Sequence, residues 1–230
     1  MPKTAMVVAL LLTGFALQAQ QRPRVLLAIF AHPDDETIVG PALARYSREG
    51  IKVYVALATD GQSGTQHTKI PAGEELGKVR REEARCSCRV LGIEPPIFFG
   101  MNNDQLIAKT EHTRDYLMPL IQEIRRVMAD LKPDAVITHG PEGGYGHSDH
   151  IAVFLAVTQV VQAGDGPERL FYAELPKQNL RAAAPYNTDP EWVVYRPTDE
   201  RYLTVRVPFE EQGTCVPMIA QWSATNRNSH

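Results

Sequence analysis

Acidic residues are missing from the first part of the chain, where no Asp or Glu precedes Asp34. The same part holds an apolar run, Ala5–Leu17, behind the basic residue Lys3. Its 13 residues are too few to span a bilayer, which takes about 20, and the arrangement is typical of a secretory signal peptide. We therefore expect a signal peptide over residues 1–19, a protein exported to the periplasm or extracellular space, and no stable membrane anchor. The alternative is a buried N-terminal helix.

Cysteine is also scarce. Cys86, Cys88 and Cys215 are odd in number, so they form no closed disulfide framework. Cys86 and Cys88 lack the two-residue spacer of a zinc knuckle, and we interpret them as small core or boundary residues. Excess basic charge is absent, with 24 Lys and Arg against 27 Asp and Glu. General nucleic-acid binding is therefore not expected.

Apolar runs of strand length alternate with helical patterns along the rest of the chain. Uniformly apolar strands that alternate with helices predict a parallel sheet covered on both faces. We predict a single α/β domain, a Rossmann-like, doubly wound and mostly parallel sheet of order 3-2-1-4-5, over residues 24–210. Residues 211–230 are predicted to be a partly disordered tail. The predicted strands are Val25–Phe30, Ile51–Ala58, Ile97–Phe99, Ala135–Thr138 and Leu170–Glu174, with late strands at Trp192–Tyr195 and Tyr202–Val207. The predicted helices are Glu36–Gly50, Glu74–Leu91, Thr110–Leu131 and Ser148–Val161.

The first predicted strand ends in a cluster of polar residues, His32-Pro-Asp-Asp-Glu36. One imidazole and three carboxylates within five residues are costly to assemble without a cation. The alternative is helix capping by Asp34 or Asp35, with the turn set by Pro33. Capping would explain one aspartate but not His32 and the second aspartate together.

A second polar cluster follows the strand Ala135–Thr138. A glycine-rich loop leads to His147-Ser-Asp149-His150, for which the alternative is a pair of exposed capping histidines. In a doubly wound sheet, ligands bind outside the carboxyl ends of the central strands, so both clusters are expected at one site. His32, Asp35 and His150 would supply two imidazoles and one carboxylate, which suits catalytic Zn²⁺ and also Fe²⁺.

These paired motifs resemble the PIG-L/LmbE-like family of zinc-dependent N-deacetylases. Thr59-Asp-Gly61 and Arg80-Arg-Glu-Glu83 resemble further blocks of that family, and the resemblance extends from about Arg24 to Glu174. It implies a Rossmann-like fold and removal of an N-acetyl group from an amino sugar.

The resemblance also implies roles for individual residues. The metal ligands would be His32, Asp35 and His150. Asp34 would be the general base. A protonated His147 would stabilise the oxyanion, with Asp149 holding its tautomer or charge. Tyr145 would contact the acetyl carbonyl, and Arg80 would bind substrate hydroxyls or phosphate; the alternative for Arg80 is a solvated arginine paired with Glu82 or Glu83. His139 is expected to be a loop residue or to line the pocket.

The predicted partner is a small amino-sugar or glycoconjugate substrate, and the oligomeric state stays open. Two other functions share the same residues: a metal-dependent esterase or phosphoesterase, and a non-catalytic periplasmic sugar-binding protein. Asp34 argues against the second, because binding alone does not require a base beside a metal ligand. The C-terminal part, from Gln212, departs from the family pattern.

Overall fold

The computed structural model describes residues 24–66, 68–101, 113–174 and 201. The five strands described are β1 Val25–Phe30, β2 Lys52–Thr59, β3 Ile97–Met101, β4 Ala135–His139 and β5 Leu170–Ala173. The helices described are α1 Gly40–Arg48, α2 Glu74–Leu91, α3 Thr113–Leu131, the short α4 Gly143–Gly146 and α5 Ser148–Gln162. A 3₁₀ helix, Asp35–Ile38, precedes α1.

The five strands form one parallel sheet of order β3-β2-β1-β4-β5, so the predicted topology is confirmed. All six residues of β1 are buried, because helices cover both faces of the central strand. Leu27 and Ile29 pack with α3 and α5, whereas Leu26 and Phe30 pack with α1 and α2. The carboxyl ends of the adjacent strands β1 and β4 therefore open at the same edge of the sheet.

The predicted helix Glu36–Gly50 is wrong as one continuous element. The structure divides it at Val39, which has φ −108°, between the 3₁₀ helix and α1. Pro41 lies in the first turn of α1, where a residue without an N–H and with a preset φ favours a helix start. Before this break, in the 3₁₀ helix, the side chains of Asp35 and Glu36 are buried in the protein interior.

Cys88 lies in the core against α1 and the sheet, as expected. Its burial raises the pKa of the thiol to about 12, which makes it unreactive at neutral pH. Within the described ranges, none of the helices is long and apolar enough to cross a membrane. The predicted signal peptide, the two late strands and the C-terminal tail lie outside the described residues.

Candidate metal centre

The loops after β1 and β4 meet at one point, although their sequences are far apart. Ile29 of β1 pairs with Thr138 of β4, which places the chain beyond each strand side by side. His32 Nδ1 lies 3.3 Å from His150 Nε2, across 118 positions of sequence. The two polar clusters thus form a single site, as expected.

The three expected ligands lie close to one another in pairs. His150 Nε2 lies 3.1 Å from Asp35 Oδ1, and His32 Nδ1 lies 3.6 Å from Asp35 Oδ2. Metal–ligand bonds of about 2.0–2.2 Å in tetrahedral geometry put neighbouring donor atoms about 3.3–3.6 Å apart. The three pairs lie near this spacing, with His32 and His150 beside different oxygens of Asp35, so the residues present fit a metal ion of this kind.

The second ring nitrogen of each expected histidine ligand contacts another group of the protein. His32 Nε2 lies 3.2 Å from Asp149 Oδ2, and His150 Nδ1 donates to the carbonyl of Gly143 at 3.0 Å. Such partners fix the tautomer and orientation of metal-binding imidazoles. The contact of Asp149 with His32 is one that the sequence prediction did not include.

The buried carboxylates of the site require a positive charge close to them. Asp35 and Asp149 are both buried. Burial opposes ionisation of Asp35, but hydrogen bonds from His139, His150 and His32 hold its pKa well below its usual range. Burial would also lower the pKa of His32, yet hydrogen bonds to Asp149 and Asp35 raise it to about 10. A proton on His32 or a metal ion would each compensate the buried carboxylates.

Asp34 differs sharply from its neighbour Asp35. Its side chain is 70% exposed, and its Oδ2 accepts a hydrogen bond from Arg80 at 2.9 Å. Its backbone is left-handed, with φ 92°, and its side chain makes no capping hydrogen bond. The capping alternative is therefore wrong for Asp34. Non-glycine residues in this conformation are costly and occur at functional sites.

Glu36 supports this strained turn and was not singled out by the sequence analysis. The side chain is buried, and its two oxygens accept from the Asp34 backbone N–H at 2.9 Å and from the Ser87 hydroxyl at 2.6 Å. Burial raises the pKa of Glu36. Because Ser87 lies 51 positions away on α2, no local sequence pattern links it to Glu36.

Arg80 pairs with Glu83, as the alternative expected, but it is not solvated. Its Nε lies 3.5 Å from a carboxylate oxygen of Glu83, and its side chain is only 18% exposed. One guanidinium nitrogen donates to both the carbonyl of Pro33, at 2.6 Å, and the carboxylate of Asp34. Arg80 therefore joins α2 to the turn that carries Asp34.

His147 caps α5 rather than standing free. Its Nδ1 accepts the backbone N–H of Asp149 at 3.2 Å, so the ring proton of the neutral form is on Nε2. Burial, with help from nearby His32 and His150, lowers its pKa. Both observations favour a neutral His147, which still offers an N–H donor, over the protonated form that the resemblance implies. The side chain of Tyr145 lies outside the described part of the structure.

His139 was expected in a loop and is instead the buried last residue of β4. Its Nε2 lies 3.3 Å from Asp35 Oδ2. Two sets of side chains within the described ranges bring ligand atoms within 4.8 Å of one another: His32, His147 and His150 in one, and Asp35, His139 and His150 in the other. The burial of His139 follows from its place at the end of a central strand.

Comparison with known proteins gives consistent matches. The PIG-L family model, described as GlcNAc-PI de-N-acetylase, matches residues 27–161. A 1D-myo-inositol 2-acetamido-2-deoxy-alpha-D-glucopyranoside deacetylase of Saccharomonospora viridis is 32% identical over 198 residues, which cover 78% of this chain and 74% of the relative. The protein of the same name from Actinosynnema mirum is 32% identical over 179 residues, 70% of this chain. The chain spans 63% of the length of that second relative.

A solved structure resembles the fold as well. This structure is the antimicrobial reagent A40926 pseudoaglycone deacetylase Dbv21. It is 25% identical to this chain and superimposes with a TM-score of 0.55. The match covers 73% of this chain and 68% of that protein.

Proposed function

This chain belongs to the PIG-L family, and we propose that it is a metal-dependent hydrolase that removes the N-acetyl group from an N-acetylglucosamine-type sugar or glycoconjugate. The observation that carries the proposal is the grouping of donors from His32, Asp35 and His150. The residue before Asp35 in the chain, Asp34, carries an exposed carboxylate. The two relatives with 32% identity are named as deacetylases of an acetamido sugar, which supports this substrate class.

His32, Asp35 and His150 would hold the metal ion. Two imidazoles and one carboxylate form a catalytic zinc set, so we propose Zn²⁺, with Fe²⁺ as the alternative that accepts the same ligands. When bound, the metal supplies Lewis-acid polarisation of the amide carbonyl and makes water a nucleophile near neutral pH.

Asp34 would move the proton. Its carboxylate is exposed while that of Asp35 is buried, so the two aspartates divide proton transfer and metal binding between them. Arg80 donates to Asp34 and Pro33 and would orient the base. Asp34 would take a proton from the attacking water and return one to the departing amine.

His147 would stabilise the negative charge that develops on the acetyl oxygen. Its ring centroid lies 4.8 Å from that of His32, and its neutral form carries the proton on Nε2. A donor placed in advance beside the reacting carbonyl lowers the barrier without reorganisation. Contact of Tyr145 with the same oxygen, and of Arg80 with substrate hydroxyls, stay predictions.

The test compares Asp34→Asn with wild type, and uses Asp130→Asn on the exposed face of α3 as the matched control. We expect Asp34→Asn to keep one equivalent of metal by elemental analysis and to lose acetate release from N-acetylglucosamine conjugates by about 10²–10⁴-fold. The control should retain both properties.

Unchanged turnover of Asp34→Asn would remove this residue from the mechanism. A folded and active protein without metal would overturn the whole proposal. Wild-type turnover of acetyl esters but not of acetylated sugars would favour the esterase alternative, because both reactions use the same residues.

A further inference from the structure

His139 lies against two of the proposed metal ligands but has no role in the proposed reaction. Its ring is 2% exposed and stacks on His150, with centroids 4.0 Å apart and planes within 5°. Phe30 packs edge-on against its other side at 4.8 Å. The ring is therefore held in one orientation, with Nε2 directed at Asp35.

The hydrogen-bond geometry at Asp35 separates its two oxygens. Oδ2 accepts the backbone N–H groups of Ala31 at 3.1 Å and His32 at 2.8 Å. His139 Nε2 lies 3.3 Å from the same oxygen. The Ala31 N–H also lies 3.3 Å from His139 Nε2, but Oδ2 of Asp35 is nearer to it at 3.1 Å. We therefore assign the Ala31 N–H to Oδ2 and the ring proton to Nε2, so that His139 is the third donor to this oxygen.

Three donors use the acceptor capacity of Oδ2. The other oxygen, Oδ1, lies 3.1 Å from His150 Nε2 and would be the atom left for the metal, whereas His32 Nδ1 lies 3.6 Å from Oδ2. Without the donor from β4, the hydrogen bonds to Oδ2 would come only from the two backbone N–H groups at the end of β1.

We propose that His139 is a positioning residue that donates from Nε2 to Asp35 Oδ2 and thereby presents Oδ1 alone to the metal ion. The inference rests on the proposed function, since it takes Asp35 as a ligand. In this role His139 contacts a metal ligand but does not bind the metal. The alternative is that His139 is itself a ligand, since the ligand atoms of Asp35, His139 and His150 also lie close enough together to bind a metal. These two roles predict different responses to substitution.

Three variants separate the hydrogen bond from the ring. His139→Gln loses the ring but places an amide N–H near the position of Nε2. His139→Asn also loses the ring, and its amide is one bond too short to reach Asp35. His139→Phe keeps a stacking ring without a donor. The Gln and Asn variants form the matched pair, because they differ in reach alone.

The readout is the affinity of each intact protein for Zn²⁺ alone, measured by competition with a chromophoric chelator. We expect His139→Asn and His139→Phe to bind zinc about 10–100-fold more weakly, the usual effect of losing a partner behind a ligand. His139→Gln should remain within about threefold of wild type. Thermal unfolding of the metal-free proteins identifies a variant that fails to fold, in which case the remaining pair decides the result.

Equal zinc affinity in wild type, Asn and Phe variants would overturn the inference. The inference would also be overturned if His139→Gln lost as much zinc affinity as His139→Asn, because the imidazole ring rather than the hydrogen-bond donor would then be required. A change of ligand number in the absorption spectrum of Co²⁺-loaded His139→Gln would make His139 a ligand instead. Failure of wild type to bind zinc would be a failure of the proposed function, which this measurement distinguishes.

Discussion

Asp34 and Asp35 are chain neighbours in opposite environments, with side chains 70% and 8% exposed. The left-handed backbone of Asp34 turns the two carboxylates apart, one to solvent and one to the histidines. Such a backbone persists only where the surroundings determine it, here through the contacts of Glu36 and Arg80. A base and a ligand can thus occupy adjacent positions.

We predict that Arg80→Ala lowers kcat for acetate release by about 10–10²-fold, because misplacement of a catalytic group by about 1 Å has effects of this order. The loss follows from removal of the donor that orients Asp34. Steady-state kinetics measures it, and zinc content should not change, since Arg80 does not contact the three proposed ligands.

Arg85→Ala is the matched control on α2, because Arg85 is exposed and pairs with Glu82 rather than Asp34. An effect on KM alone in Arg80→Ala would contradict the orienting role and favour the predicted contact with substrate.

At the scale of elements, the turn between β4 and α5 positions His150, the expected metal ligand from the second polar cluster. Gly143 has φ 66°, and its carbonyl accepts the hydrogen bond from His150 Nδ1. A Cβ added there would lie 2.8 Å from a side-chain carbon of Ile151. The turn therefore requires glycine for both its backbone conformation and its close packing against α5.

We predict that Gly143→Ala destabilises the protein by about 1–2 kcal/mol, the cost of a left-handed backbone with a Cβ, and also weakens zinc binding. Gly164→Ala is the matched control: its φ is 87° and a Cβ there meets nothing within 4 Å. In urea unfolding the control should lose less stability than Gly143→Ala, because it lacks the close contact with Ile151, and it should keep its zinc affinity. Equal zinc affinity in both variants would show that the Gly143 carbonyl does not orient His150.

At the scale of the whole molecule, the proposed metal site ties together loops from the two central strands. His32 follows β1, whereas His150 lies in the first turn of α5, beyond β4. The site therefore forms only when the sheet is assembled, and a metal that binds the folded state alone must stabilise that state by mass action.

We predict that free Zn²⁺ at 100 times its Kd raises the free energy of unfolding by about 2.7 kcal/mol over the chelator-treated protein. Urea unfolding in zinc and in chelator measures the difference. His150→Ala should show little of this shift. An unchanged midpoint for wild type that carries bound zinc would mean that the unfolded chain binds the metal equally well.

Export stays a prediction from the apolar run Ala5–Leu17, since residues 1–23 lie outside the described part of the structure. The role of Tyr145, whose side chain is not described, and the partly disordered tail over residues 211–230 stay predictions for the same reason. The family assignment does not depend on these segments, because the family match covers residues 27–161.

The sequence by itself determined the strand order and, apart from the divided helix Glu36–Gly50, the position of each predicted element that the structure describes to within three residues. Val25–Phe30 and Glu74–Leu91 lie where they were predicted, because an apolar run or a helical period ended by Gly92 is a local signal. It also indicated that the two polar clusters meet, since the carboxyl ends of central parallel strands share one edge.

Only the tertiary structure decided how the site is supported. Glu36 meets Ser87, Asp34 meets Arg80, and Asp35 meets His139. Each pair joins residues more than 40 positions apart, on elements whose relative placement depends on packing across the sheet. Local periodicity carries no information about which side chains meet after that packing, so the ligands could be predicted from their motifs while the residues that hold them could not.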